Sequence, residues 1–388
     1  MKTFSTIAWV ACGLILTAGT ASCSDDETVN PTEASAKELA LQAATTPYVE
    51  HTVLPTYKEM ADAAIILADS CDVIRKKFTA GTLTEKDIRI AGETWKRSRK
   101  HWELSEAFLF GPAADRNIDP HIDSWPLDKA AMDDLLKEIR AGKNWNISNN
   151  GGYGLLGFHA IEYVLFELTA DGMTSRPHDP ATYSPEILDY LVAVAEDLRD
   201  QCVLLEASWA GTEAIGDEKQ AILEEAELST NDREGWKMIN AGKPGSTYIT
   251  YQAVAEEIIQ GCCDIADEVG NTKIGKPHSA ATDEDRNYIE SPYSLNSVED
   301  FQDNIRSIRN AYCGAQTGDA SISDYIRIVN PALDAQIRTD IADAIAAIGR
   351  IPEPFARNAR GSEAAAAIEA CEKLNTSLFK VMAELNRQ

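Results

Sequence analysis

Gly151-Gly-Tyr-Gly-Leu-Leu-Gly-Phe-His159-Ala-Ile-Glu162-Tyr-Val-Leu-Phe-Glu-Leu168 opens with four glycines in seven residues and runs into an apolar segment of helical length. His159 and Glu162 stand three residues apart. On a helix they emerge one turn apart on one face, close enough to share a metal ion, a water or each other. Ile161, Val164, Leu165 and Leu168 carry apolar surface around the rest, so the helix is expected to be buried. A buried imidazole and carboxylate need partners. The glycines predict that other backbone approaches the helix entrance closely. A core histidine hydrogen-bonded to a core glutamate satisfies the same pattern, so the H-x-x-E spacing alone does not define a site.

Outward from this stretch the chain reads as helices. Val53, Tyr57, Met60, Ala64, Leu67, Cys71, Ile74 and Phe78 recur at helical spacing until Gly81. Thr84-Glu-Lys-Asp87 then caps a second helix predicted to reach Phe110. In it Trp95, Arg99, Trp102 and Glu106 form one stripe on an inward face. Residues 112–127 hold three prolines and read as a structured loop, with Trp125 too costly to leave exposed. A short helix follows over 128–140, and Ser184-Pro-Glu starts a long one to about Trp209. Helices over 246–269, 297–312, 331–348 and 362–385 complete the set. No segment alternates with period two, so no sheet is expected. The expectation is an all-α fold of two similar four-helix bundles, over 47–215 and 216–388, with a plausible internal duplication.

The chain has 388 residues, 44% hydrophobic and 25% charged, an ordinary globular composition. Its net charge of −26, from 62 acids against 36 bases, argues against nucleic acid as a partner. The N-terminus carries one lysine, an apolar run over 7–18 and then Thr20-Ala-Ser-Cys23, an export signal over residues 1–22. Its tail resembles a bacterial lipoprotein signal, which makes Cys23 the lipidated first residue and a membrane anchor; Thr20 departs from the aliphatic residue expected there. Residues 23–46 read as a polar linker. The remaining cysteines lie in apolar helical segments without zinc-ligand spacing and read as small core hydrophobes.

Three stretches together resemble the imelysin family, classed as M75 peptidases. They are Trp95–Gly111 with Trp125-Pro-Leu-Asp128, then Gly157-Phe-His159-Ala-Ile-Glu162 as the family's G-x-H-x-x-E, and more weakly Glu290-Ser-Pro-Tyr-Ser294 with Asp300-Phe-Gln-Asp-Asn304. The resemblance implies two helical bundles with a shared interface pocket, lined by the G-x-H-x-x-E helix, and an association with iron uptake. The pocket is then expected to gather Arg99, Trp102, Glu106, Trp125, Asp128, His159 and Glu162 from one half, with Ser294 and Asn304 from the other. His159 and Glu162 are the candidate metal ligands, for iron or another divalent metal. They would also be the catalytic pair of an exported metallopeptidase. H-E-x-x-H is absent, and Tyr163 stands where H-x-x-E-H needs its second histidine, so the zinc-hydrolase ligand set is incomplete. The favoured expectation is a non-catalytic, outer-membrane lipoprotein that binds a metal ion or small ligand and works with envelope transport proteins. The metallopeptidase is the alternative, and a metal-free pocket for an organic ligand a third.

Overall fold

The structure, a computed structural model, describes residues 31–146 and 152–387. The export signal and Cys23 lie outside the described residues. Among these residues, no helix is long and apolar enough to cross a membrane.

A helix α1 (Pro31–Pro47) passes through a π-helical segment, Tyr48–Val53, directly into α2 (Leu54–Thr79). Thr84 and Asp87 form a capping box at the start of α3 (Glu85–Glu103). Short helices α4 (Pro112–Asp115) and α5 (Ile118–Asp123) follow, then α6 (Lys129–Arg140) and α7 (Gly157–Leu165). Strands β1 (Phe166–Leu168) and β2 (Ser175–Pro177) pair antiparallel before α8 (Pro185–Ala210). The second half comprises α9 (Asp217–Glu225), α10 (Glu234–Ile239), α11 (Tyr251–Asp267), α12 (Gly275–Ser279), α13 (Asp283–Arg286), α14 (Ser297–Cys313), α15 (Ile322–Val329), α16 (Pro331–Ile348), α17 (Phe355–Asn358) and α18 (Ser362–Leu385). A second π-helical segment, Glu268–Ile274, joins α11 to α12.

Two groups of long helices carry the fold. In the first, α2 packs on α3 and α8, burying Tyr57, Met60, Ala64, Leu67, Cys71 and Ile74 along one face. In the second, α11, α14, α16 and α18 pack together. One apolar core runs through both. The all-helical expectation therefore holds, except that the described residues include a two-stranded ribbon where no sheet was expected.

Several expectations need correction. The polar linker over 23–46 is helical from Pro31 onward and packs on α11. Leu41 and Ala44 are buried, and the Glu38 carboxylate accepts the Tyr251 and Gln252 amides at 2.8 and 3.1 Å. Only a narrow stripe of this helix faces the protein, so its composition is that of a linker. The boundary near 215 is crossed both ways: α1 lies on the second group, while α9 and α10 return to α8. The helix predicted to Phe110 ends at Glu103, and the one predicted to Leu168 ends at Leu165. All six cysteines among the described residues are free, five of them buried.

Candidate functional site

The two helix groups meet around α3 and α7, and charged side chains concentrate there. Gly157 sets the geometry. Its φ is +70°, and a Cβ on it would lie 2.1 Å from the Ile122 carbonyl oxygen. Only glycine lets the end of α5 approach α7 so closely. Asp123, the next residue, is thereby brought against His159.

Arg99 is the hub. It is fully buried on α3 and pairs through Nη1 with Asp123 Oδ1. Its Nη2 lies 2.5 Å from both Glu103 Oε1, one turn on, and Glu290 Oε1, and its Nε lies 3.5 Å from Asp300 Oδ2. Trp102 donates its indole N–H to Asp123 Oδ2 at 2.8 Å. His159 places Nε2 3.1 Å from Asp123 Oδ1 and Nδ1 3.5 Å from Glu162 Oε2. Glu162 reaches across to the second half. Its Oε1 accepts the Tyr293 and Ser294 amides at 3.0 and 2.7 Å and the Ser294 hydroxyl at 2.7 Å. Asn304 donates its side-chain amide to Glu103.

A second basic group sits beside this one. Lys273, on the π-helical segment, places Nζ 3.1 Å from Glu290 Oε1, 3.5 Å from Glu106 Oε1 and 3.8 Å from Glu103 Oε2. The half-buried Trp125 ring lies 5.6 Å from this ammonium. The carboxyls of Glu103, Glu106, Asp123, Glu162, Glu290 and Asp300 thus outnumber the basic side chains of Arg99, Lys273 and His159. Among these groups Oε2 of Glu290 and Oε2 of Glu162 accept no hydrogen bond from the described residues, although both side chains are fully buried. An excess of buried acid needs protons or a cation.

Proton affinities follow the packing. Burial opposes a charge on His159, but the Asp123 and Glu162 carboxylates prevail and raise its pKa to about 9. Burial would also raise Asp123, yet Arg99 and His159 hold it well below the usual carboxylate range. Burial pushes Glu103 and Glu106 well up, with Arg99 and Lys273 only partly offsetting it at Glu103 and Lys273 at Glu106. Asp300 is pushed up to about 7 by burial against the pull of Arg99. Asp119 and Glu268, partly exposed at the outer side, are raised by burial as well, Asp119 to about 6.

Of the residues expected in the pocket, Arg99, Trp102, His159, Glu162, Ser294 and Asn304 converge. Glu106 and Trp125 lie at the Lys273 side. Glu106 is reached through a 3-10 turn after α3 rather than along the helix stripe. Asp128 is a correction: its exposed side chain caps α6 by accepting the Ala131 amide at 2.9 Å. The spacing of Arg99 and Glu103, one helix turn apart, could have identified Glu103. Glu290 and Asp300 stand within the stretches already singled out. Asp123, inside the proline-rich loop, and Lys273, in a polar stretch without periodicity, carried no local signal.

One donor atom each from Asp123, His159 and Glu290 lie within 4.8 Å of one another, as do those from Glu103, Glu106 and Asp123. The first set is mixed nitrogen and oxygen, the second all oxygen; both suit hard or borderline cations. Glu162 is less suited to a metal than the H-x-x-E pattern implies, because one oxygen is committed to the 293–294 backbone.

Comparison with known proteins finds relatives over most of the chain. A curated relative, iron-regulated protein A of Synechococcus elongatus, is 27% identical over 344 residues, spanning 88% of this chain and 83% of that protein. A solved structure from Parabacteroides distasonis, named as an iron-regulated protein A precursor, superposes with a TM-score of 0.71 at 27% identity, covering 90% of this chain and 96% of that one. An imelysin-like protein from Psychrobacter arcticum shares the fold, with a TM-score of 0.60 at 12% identity over 90% and 94% of the two chains. The family profile for imelysin, peptidase M75, matches residues 53–381. This chain belongs to the imelysin family.

Proposed function

We propose that this protein is an exported imelysin-family lipoprotein, anchored through Cys23, that binds a metal cation in the service of iron uptake and performs no peptide hydrolysis. The observation that carries the reading is the convergence of Asp123, His159 and Glu290 donor atoms within 4.8 Å, inside a buried cluster where carboxyls exceed basic groups. A mixed imidazole and carboxylate set fits iron among the first-row metals. The iron-regulated name of the Synechococcus relative supports the same assignment. Arg99 neutralises two of these carboxylates, so a bound cation competes with a guanidinium, which favours ions of higher charge.

Hydrolysis fits this site less well. A catalytic zinc keeps an open position and a free general base. Here Asp123 is shared among Arg99, Trp102 and His159, and Glu162 is tied to the 293–294 backbone.

The test is metal content of purified protein, stripped and reloaded with Fe2+ or Mn2+. His159→Ala and Glu290→Gln are each expected to weaken binding by about ten- to a hundredfold while helicity persists, with peptidase turnover at background. Unchanged metal content in both variants sinks the cation site. Metal-dependent proteolysis lost on changing His159 or Glu162 establishes the peptidase instead. Separately, Cys23→Ser is expected to shift the protein out of the membrane fraction, because acyl chains supply the anchor.

A further inference from the structure

We propose that Lys273 is a tethered occupant of a second cation subsite, formed by Glu103, Glu106 and Asp123, and that metal loading exchanges its ammonium for the ion. The inference rests on the cation reading of the neighbouring His159 cluster and adds a second position and a route to it. Three observations carry it. First, the ammonium is 1% exposed, yet its distances of 3.1, 3.5 and 3.8 Å to Glu290, Glu106 and Glu103 exceed the roughly 2.7–2.9 Å of a close charge-assisted hydrogen bond. The oxygens form a cage that a lysine fills loosely and that a metal ion would draw in. Second, donor atoms of Glu103, Glu106 and Asp123 already lie within 4.8 Å of one another. Beside them the fully buried Glu290 leaves one carboxylate oxygen without a hydrogen bond.

Third, the lysine can leave. It stands on the π-helical segment Glu268–Ile274, a wide and rare turn of the kind that marks functional positions. Its flexible four-carbon stem ends 5.6 Å from the half-buried Trp125 ring. Glu268, five residues earlier on the same π turn and only partly buried, offers the displaced ammonium a carboxylate nearer to solvent. The exchange raises the positive charge among the acids from one to two, which the excess of carboxyls over basic side chains accommodates, and the ammonium finds a new partner at Glu268.

Reductive methylation of lysines, read by mass spectrometry, tests this on the unmodified protein. Lys273 is expected to be protected without metal and to label at least about tenfold faster once Mn2+ is bound, as a locally opened group does. Lys273 remaining protected while Mn2+ is bound overturns the exchange. Mn2+ stoichiometry separates this from the reading of the first site. The wild type is expected to hold two equivalents, Glu106→Gln losing the one at the second subsite and His159→Ala the one at the first, while Lys273→Met keeps both and binds the second at least about tenfold more tightly, with no ammonium to displace. Failure of the first reading alone leaves the wild type with a single Mn2+ that depends on Glu106 and not on His159. A Mn2+ content that Glu106→Gln leaves unchanged, in the wild type and in Lys273→Met, overturns the second subsite.

Discussion

At His159 two effects oppose each other, and their balance sets a pH dependence. Burial disfavours the imidazolium, but the flanking Asp123 and Glu162 carboxylates outweigh it and move the pKa from 6.5 to about 9. A folded-state pKa above the unfolded one contributes stability that is complete below about pH 6.5 and is lost as pH rises through 9. Urea midpoints measured across this window are expected to fall with pH in the wild type and to fall less steeply in His159→Gln; equal slopes would remove the histidine from the account. The neighbouring Gly157 answers to sterics rather than charge. Gly157→Ala requires both a left-handed backbone and displacement of the Ile122 carbonyl, and is expected to cost more than about 2 kcal/mol in the same assay. The four-glycine opening thus announced a close approach in the sequence. The residue it delivers, Asp123, was not announced, since nothing in the local pattern of the 112–127 loop distinguishes that acid from Asp115 or Asp119.

Helices were legible and their ends were not, for a physical reason. The α2 face and the Thr84–Asp87 capping box are local features, so spacing and cap chemistry reveal them. The stop at Glu103 is tertiary: Glu103 turns inward to Arg99 and Asn304, and the chain continues as a 3-10 turn. The loop after Glu290 is tertiary too. Ser291 and Leu295 take positive φ values of 48° and 54°, at a cost of about 1–3 kcal/mol each, and Glu162 is what holds the turn between them. Removing that carboxylate leaves two amides without their acceptor, worth about 1–3 kcal/mol per buried donor. Glu162→Ala is therefore expected to lose hydrogen-exchange protection at Tyr293 and Ser294 first; protection retained there would separate the loop from α7. Asp128→Ala makes the contrasting case. It should cost about 1 kcal/mol as a lost helix cap and leave metal content unchanged.

Across the whole molecule, the two helix groups are joined by a continuous apolar core and by ionic contacts centred on Arg99. That guanidinium contacts Glu103 and Asp123 of the first half and Glu290 and Asp300 of the second. Its removal leaves four buried carboxyls short of a counter-ion, the situation in which breaking a buried pair costs about 3–5 kcal/mol. Arg99→Met is thus expected to destabilise the protein by at least that much, with the loss concentrated where the halves meet. Equilibrium unfolding should then separate into two transitions instead of one. Arg99→Lys is expected to restore little, because an ammonium cannot reproduce the planar fork that reaches Asp123 and Glu290 together. Acid should rescue the variant in part. Without Arg99 the carboxyls of Glu103, Asp123 and Asp300 titrate higher in the folded protein, so stability increases as pH falls and they become protonated. A single, fully cooperative transition in Arg99→Met with no improvement between about pH 7 and pH 5 would mean that the apolar core alone joins the halves, leaving the ionic cluster free for ligand binding without a structural role.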